Sequence, residues 1–229
     1  MNGFFISGTD TGIGKTLISA MLLMATRGRY WKPVQSGIEG GTDTETVRKL
    51  TLLDDAHFER ESYKLEKPLS PHLSSRLENI RIDTGRIISD FDDIKARNDI
   101  HIRSDSIKYN VLTPNLLIIE GAGGLLVPLN ESDLIIDLII KLGFPVILVS
   151  RSTLGTINHT LLSLEALYAR NIPVAGVIMS GPENTENKKA IETYGRVKVL
   201  AGIPVLENMV KEDLMLYGSR IAEALRIQE

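Results

Sequence analysis

The stretch that most constrains this chain is Gly8-Thr-Asp-Thr-Gly-Ile-Gly-Lys-Thr16. It follows the apolar run Gly3–Ser7 and leads into an apolar, helix-like segment, Lys15–Thr26. A strand that breaks into a glycine-rich loop and re-enters a helix at Gly-Lys-Thr is the context of a phosphate-binding loop. Backbone N–H groups and the positive end of the helix hold phosphate oxygens. A lysine in place of Lys15 reaches the terminal phosphates, and a hydroxyl in place of Thr16 meets Mg²⁺. The usual spacing puts four residues between the two glycines; here five separate Gly8 from Gly14, and Thr9 stands where the first glycine belongs. The loop is therefore a stretched one, with Gly12, Ile13, Gly14, Lys15 and Thr16 as the residues expected to face a nucleotide.

Such a loop requires a parallel sheet behind it, and the rest of the chain supplies the pattern. Short apolar runs recur at Gly3–Ser7, Tyr30–Val34, Leu116–Glu120, Pro145–Ser150, Val174–Met179 and, weakly, Ile203–Leu206. Runs that are apolar throughout suit strands covered on both faces. Helical patterns separate them: Lys15–Thr26, Ser132–Leu142 from a Ser cap to the residue before Gly143, Thr156–Arg170, Asn184–Leu200 and Lys211–Arg226. The alternation predicts an α/β fold of the P-loop NTPase type: one domain over residues 1–229, doubly wound, with a mainly parallel sheet flanked by helices. The interval from about 51 to 115 is more charged. There Ile87, Ile88, Phe91 and Ile94 make one helical face, expected on a helix of an insertion at the sheet edge.

Charge and residue usage narrow the function. A net charge of -3 and a pI near 5.9 argue against a general affinity for nucleic acid or anionic membrane. The chain has no cysteine, which removes disulfides, thiolate metal sites and a cysteine nucleophile. His57, His72, His101 and His159 have no metal-ligand spacing. No leader-like segment opens the chain, and no apolar run approaches the roughly 18 residues of a membrane span. The expectation is a cytoplasmic protein without membrane or nucleic-acid partners.

Further candidates follow from position. Mg²⁺ keeps an octahedral oxygen shell, so one or two carboxylates normally join the loop hydroxyl. Glu120 ends the run Leu116-Leu-Ile-Ile119 and precedes Gly121-Ala-Gly-Gly124. A carboxylate at the carboxyl end of a central strand faces the crevice where α/β proteins bind ligands. Asp43, in Gly-Gly-Thr-Asp, is either a second metal ligand or a helix cap. Lys32-Pro-Val-Gln-Ser36 closes the second apolar run, so that Lys32 and Ser36 either flank the same crevice or lie on the surface. Gly155-Thr-Ile-Asn-His-Thr160 opens a helix, with Asn158 and His159 as capping, packing or site residues.

Taken together these segments resemble the dethiobiotin synthetase family. The motifs are Gly-Thr-Asp-Thr-x-x-Gly-Lys-Thr at Gly8–Thr16, Lys32-Pro-Val-x-Ser36-Gly37, Asp43, Ser70-Pro-His72, Glu120-Gly-Ala-Gly-Gly124 and Leu154-Gly-x-Ile-Asn158-His159. They stand in the family's order across roughly residues 3 to 160. The resemblance implies an ATP-dependent cyclo-ligase acting in biotin biosynthesis. Its substrates would be 7,8-diaminononanoate, CO₂ or bicarbonate, and ATP with Mg²⁺. A carbamate and a carbamic-phosphoric anhydride would lead to dethiobiotin, ADP and phosphate. By the same resemblance Lys15 and Lys32 are catalytic, and Thr16, Asp43 and Glu120 hold the metal. Thr11, Ser36 and Gly123 contact the diamine or its carbamate. Leu154, Gly155 and Asn158 bind its distant carboxylate across a homodimer interface.

Two departures carry expectations of their own. Gly12 stands where family members often have Glu. Ser180-Gly181 replaces the Asn that the family uses to read adenine, and a Pro-rich loop before Gly202-Ile-Pro204 is missing. Triphosphate contacts are therefore expected to dominate, with weak discrimination among nucleobases. The alternative is a partition- or division-type P-loop ATPase switch. Such proteins usually carry an extra lysine early in the loop, and Thr9-Asp-Thr11 provides none.

Overall fold

The computed structural model describes residues 2–105, 116–206 and 210–226, with backbone alone for 98–105 and 226. The chain order is β1 (Gly3–Gly8), α1 (Lys15–Thr26), β2 (Arg29–Trp31), β3 (Val34–Ser36), α2 (Asp43–Thr51), β4 (Tyr63–Leu65), α3 (Pro71–Leu77), α4 (Thr84–Asp105), β5 (Leu117–Gly124), α5 (Ile135–Leu142), β6 (Val146–Arg151), α6 (Thr156–Tyr168), β7 (Val174–Ser180), α7 (Thr185–Gly195), β8 (Val199–Ile203) and α8 (Lys211–Arg226). Six strands pair in the order β2-β5-β1-β6-β7-β8, every pair parallel.

The continuous apolar runs are explained by what covers each face. Successive strand side chains point to opposite sides, and both sides are dry. Phe5, Leu117, Ile119, Val146 and Leu148 face a cluster completed by α4, α5, α6 and α7. Ile6, Ile118, Ile147, Val149 and Ile178 face the other cluster, built with α1 and α8. The chain leaves β1 on one side toward β2 and later returns on the other side to β6, so β1 lies at the switch point between β5 and β6. A crevice opens there at the carboxyl ends of the strands, where the stretched loop emerges.

Several boundaries differ from the sequence expectation, each for a local reason. The Tyr30–Val34 run is two strands, not one. Pro33 has no N–H to give to a ladder, β2 stops at Trp31, and β3 pairs with β4 in a separate two-stranded parallel sheet. Helix α5 begins at Ile135 and not at Ser132: the Asp137 carboxylate accepts the Leu134 N–H at 2.8 Å, while Ser132 N–H is bound by Asn130. Asn184 does cap α7, through the Asn187 N–H at 2.9 Å, but that helix ends at Gly195 and the following Val199–Ile203 forms β8. The expected Ile203–Leu206 strand is thus displaced toward the amino terminus, because Pro204 stops the ladder. The helix expected within the 51–115 interval is α4. Its Ile87, Phe91 and Ile94 join the main core, with Phe91 stacked on Trp31 at 6.2 Å and edge-on to Phe144 at 5.4 Å. Helix α4 thus packs on β2, an edge strand of the sheet; the stretch 106–115 lies outside the described residues.

Candidate active site

The loop between β1 and α1 turns on two glycines with positive φ, Gly12 at 63° and Gly14 at 97°. The second is the residue before the helix, and its left-handed conformation would strain any side chain. It aims Lys15 and Thr16 inward. Lys15 is 7% exposed, and its Nζ donates to the Asp10 carbonyl at 2.9 Å. Burial and the neighbouring Lys32 charge push its pKa down. Farther out, Arg151 at the end of β6 clasps the stretched part of the loop, contacting the Asp10 carboxylate and the Thr11 carbonyl, both at 3.3 Å.

Behind the loop, residues from four elements and their edges converge. The Thr16 hydroxyl lies 2.9 Å from Glu120 Oε1 and 3.1 Å from Asp43 Oδ1. Lys32 Nζ is 3.1 Å from the same Glu120 oxygen, 2.7 Å from Asp43 Oδ2 and 2.9 Å from the Gly121 carbonyl. Glu120 and Lys32 are 1% and 3% exposed. Burial opposes the charge on Lys32, but Glu120 and Asp43 outweigh it and hold the ammonium above its ordinary pKa. Burial likewise opposes ionisation of Asp43; Lys32 and the Thr16 hydroxyl reverse the sign and keep its pKa below the ordinary value. Asp43 is not the cap of α2. Thr42 is, in a reciprocal capping box with Glu45, and Gln35 Oε1 accepts the Asp43 N–H at 3.1 Å. The carboxylate is thereby released from the capping role and turned toward Thr16 and Lys32.

Lys15, Thr16, Lys32, Asp43 and Glu120 therefore come together, though they are spread over more than a hundred positions. Lys32 is a buried hub and not a surface lysine. Ser36 ends β3 with its hydroxyl buried and without a hydrogen-bond partner. Gly123, next to last in β5, has φ 76°. Leu154, Gly155 and Asn158 are separate: among the described residues no side-chain hydrogen bond or ion pair ties them to the cluster. Leu154 is fully exposed, and Gly155, rather than Asn158 or His159, precedes α6 with no side-chain cap. Sequence reasoning missed Tyr30, Ser19 and Arg151 as members of this region. For Tyr30 the available signal was its place two residues before Lys32, and for Ser19 its place one turn after Lys15.

Three oxygens, from Thr16, Asp43 and Glu120, form a hard-donor set of the kind that suits Mg²⁺ with phosphate and water completing the shell. Among the described residues no group of three or more His, Cys, Asp or Glu side chains could hold a metal independently of such partners. No helix among them is long and apolar enough to cross a membrane.

Comparison with known proteins matches the whole of this region. A family model described as an AAA domain covers residues 2–213. An ATP-dependent dethiobiotin synthetase BioD of Agrobacterium fabrum is 46% identical over 92% of this chain and 90% of its own length. A biotin biosynthesis bifunctional protein BioCD of Bordetella avium is also 46% identical, over 96% of this chain; the chain spans 43% of that longer protein. Among solved structures, a plasmid partition protein from Borrelia burgdorferi superposes with a TM-score of 0.57 at 12% identity, covering all of both chains. At that identity the likeness shows the doubly wound fold alone.

Proposed function

The chain belongs to the dethiobiotin synthetase family, and on that premise we propose that it carboxylates and cyclises 7,8-diaminononanoate to dethiobiotin, with ATP converted to ADP and phosphate. One amine takes up CO₂ as a carbamate. A carbamate oxygen attacks the γ-phosphorus, and the bond from that phosphorus to the ADP oxygen breaks. The second amine then attacks the carbamoyl carbon of the mixed anhydride, closes the five-membered ureido ring and expels phosphate. The observation that carries this reading is the convergence of Lys15, Thr16, Lys32, Asp43 and Glu120 beneath a stretched phosphate loop.

The side chains fit what the chemistry demands. An anionic carbamate must approach a polyanionic donor, so the reaction depends on positioning and on charge stabilisation. Lys32 is buried and its ammonium is stabilised by two carboxylates, which fits a group that offsets that repulsion. Lys15, released from the Asp10 carbonyl, would reach the terminal phosphates. The backbone from Gly12 to Gly14 offers N–H groups at the head of α1. Thr16, Asp43 and Glu120 would hold Mg²⁺, which supplies charge neutralisation on the phosphates. Thr11 and Gly123 border the acceptor side, and the free Ser36 hydroxyl is available to a carbamate or amine. A homodimer would bring the Leu154–Asn158 segment of a second subunit over the site, where the uncapped head of α6 suits the substrate's distant carboxylate. A cytoplasmic location accords with ATP as a co-substrate.

Incubation with Mg²⁺, ATP, bicarbonate and the diamine should yield dethiobiotin and stoichiometric phosphate. No dethiobiotin, with phosphate release unchanged by the diamine, would overturn the assignment.

A further inference from the structure

Four donors meet on the Glu120 carboxylate, and they divide by oxygen. Oε1 accepts from Thr16 at 2.9 Å and Lys32 at 3.1 Å, both of which belong to the reacting centre. Oε2 accepts from Ser19 of α1 and Tyr30 of β2, each at 2.9 Å, and both belong to the scaffold. The hydroxyl of Ser19 is shared, since it also lies 3.0 Å from the Lys15 carbonyl. The phenol of Tyr30 donates to Glu120 alone. Tyr30 is wholly buried, and Phe58 packs edge-on to its ring at 6.4 Å. It pairs with Ile118 in the neighbouring strand, two residues before Glu120, so both side chains rise from the same face of the sheet. A phenol and a carboxylate buried together are costly unless each satisfies the other, and here they do.

We infer that Tyr30, assisted by Ser19, is a positioning residue that locks Glu120 Oε2 and leaves Oε1 as the single oxygen offered to a divalent cation, so that the site selects Mg²⁺ over Ca²⁺. The inference rests on reading Thr16, Asp43 and Glu120 as the cation site. Mg²⁺ is satisfied by single carboxylate oxygens in a tight octahedron, whereas Ca²⁺ takes more oxygens and readily engages both of a carboxylate. A carboxylate with one oxygen held by two buried hydroxyls, from a helix and a strand, cannot turn to present both. Tyr30→Phe keeps the ring and its packing and removes this restraint.

The test needs no turnover. Mn²⁺ is titrated into the full chain with ADP and followed by electron paramagnetic resonance. Displacement by Mg²⁺ and by Ca²⁺ then gives their affinity ratio for the wild type, Tyr30→Phe, Ser19→Ala and Glu120→Gln. In Tyr30→Phe the preference for Mg²⁺ over Ca²⁺ should shrink by about tenfold, the scale of one lost charge-assisted hydrogen bond. A smaller loss is expected in Ser19→Ala, and none from Tyr30→Phe in a Glu120→Gln background. An unchanged ratio in Tyr30→Phe, with Mn²⁺ binding still weakened by Glu120→Gln, overturns the role of Tyr30 alone. Mn²⁺ binding indifferent to Glu120→Gln overturns the cation-site reading and this inference with it. Should Tyr30→Phe not fold, Ser19→Ala makes the same comparison with a helix-favouring side chain, and an unchanged ratio there overturns the inference.

Discussion

Lys15 and Lys32 share one charge cluster, yet the fold treats them in opposite ways. Lys15 is penalised by burial and by the charge of Lys32, and its one hydrogen-bond acceptor is a backbone carbonyl. Lys32 is buried too, but two carboxylates outweigh the penalty. Removing Lys15 should therefore cost the fold little. Removing Lys32 leaves Glu120 and Asp43 as like charges without the cation that hydrogen-bonds both; Lys15 remains in the cluster, but its hydrogen bond goes to the Asp10 carbonyl. Lys32→Met should lower stability by about 3 kcal/mol, toward the low end for a broken buried pair because Asp43 keeps 31% of its side chain exposed. Both Lys15→Ala and Lys32→Met should lose nearly all dethiobiotin formation. Urea unfolding checks the contrast, and equal destabilisation by the two substitutions would refute it. The pH dependence has a definite sign. A lysine whose folded pKa is raised contributes fully below its unfolded value of about 10.5 and loses that contribution as pH rises through the higher folded value. The stability gap between wild type and Lys32→Met should thus stay constant from neutral pH until about 10.5 and close above it; a gap that closes on the acid side of neutrality would contradict the assignment of Lys32 as the charged hub.

At the scale of elements, the packing of α8 on α1 depends on one small residue. A Cβ placed on Gly218 would lie 2.0 Å from the Met21 carbonyl oxygen and 3.1 Å from the Ala25 side chain. Backbone cannot yield as a flexible side chain can, so the helices must part. Gly218→Ala should cost about 2 kcal/mol despite its better helix propensity, seen as a melting temperature lower by roughly 4–8 °C; an unchanged or raised melting temperature would show that the pair is free to slide. The junction of β7 with α7 carries a second expectation. Ser180 lies against the phosphate loop, where a Cβ on Gly14 would come 3.2 Å from its hydroxyl. The adjacent cavity, about 410 Å³, is bordered by Gly181, Asn184, Lys188, Pro204, Tyr217 and Arg220. The strand end itself offers Ser180-Gly181 and no asparagine to read adenine, and the Asn184 side-chain carbonyl oxygen is taken by the cap of α7. Specificity constants for CTP and GTP should fall within about a hundredfold of that for ATP, or ~2.7 kcal/mol, and a larger ATP preference would sink the idea. Elements with strong local signals were legible in the sequence: α1 and α8 begin and end where their patterns do. Prolines were harder to place. Pro33 divides an apolar run into strands of two different sheets, and Pro204 ends β8 where a strand was expected to begin. The site was half legible. Lys15, Thr16 and Glu120 announce themselves by position in a strand–loop–helix unit. Tyr30, by contrast, meets Glu120 across 90 residues of chain, a contact set by strand order, and no local periodicity encodes strand order.

The whole molecule poses the question of what closes the crevice. Leu154 is fully exposed at the mouth of α6, and Leu126, Leu162 and Ile140 are each about half exposed. Single exposed apolar residues are ordinary, but Leu154 stands beside a helix head whose first N–H groups receive no side-chain cap. The Thr156 N–H is taken by the Thr153 carbonyl at 3.2 Å, but a helix start without a side-chain cap still favours an anion. The proposed homodimer would use both features at once, burying Leu154 against a neighbouring subunit and offering the helix head to the carboxylate of the diamine bound there. Leu154→Asp tests the two parts together. The new charge would be desolvated at the interface and would repel the substrate carboxylate. The KM for the diamine should rise by about ten- to a hundredfold, as for loss of a hydrogen bond to a charged group. Sedimentation should show the dimer shifted toward monomer at the same time. The phosphate-loop side of the site, built within a single chain, should retain nucleotide binding, so the affinity for ADP separates this effect from general damage. A dimer that persists with an unaltered KM for the diamine would show that the α6 head faces solvent throughout the reaction, and the carboxylate would then have to be held by residues of the same subunit.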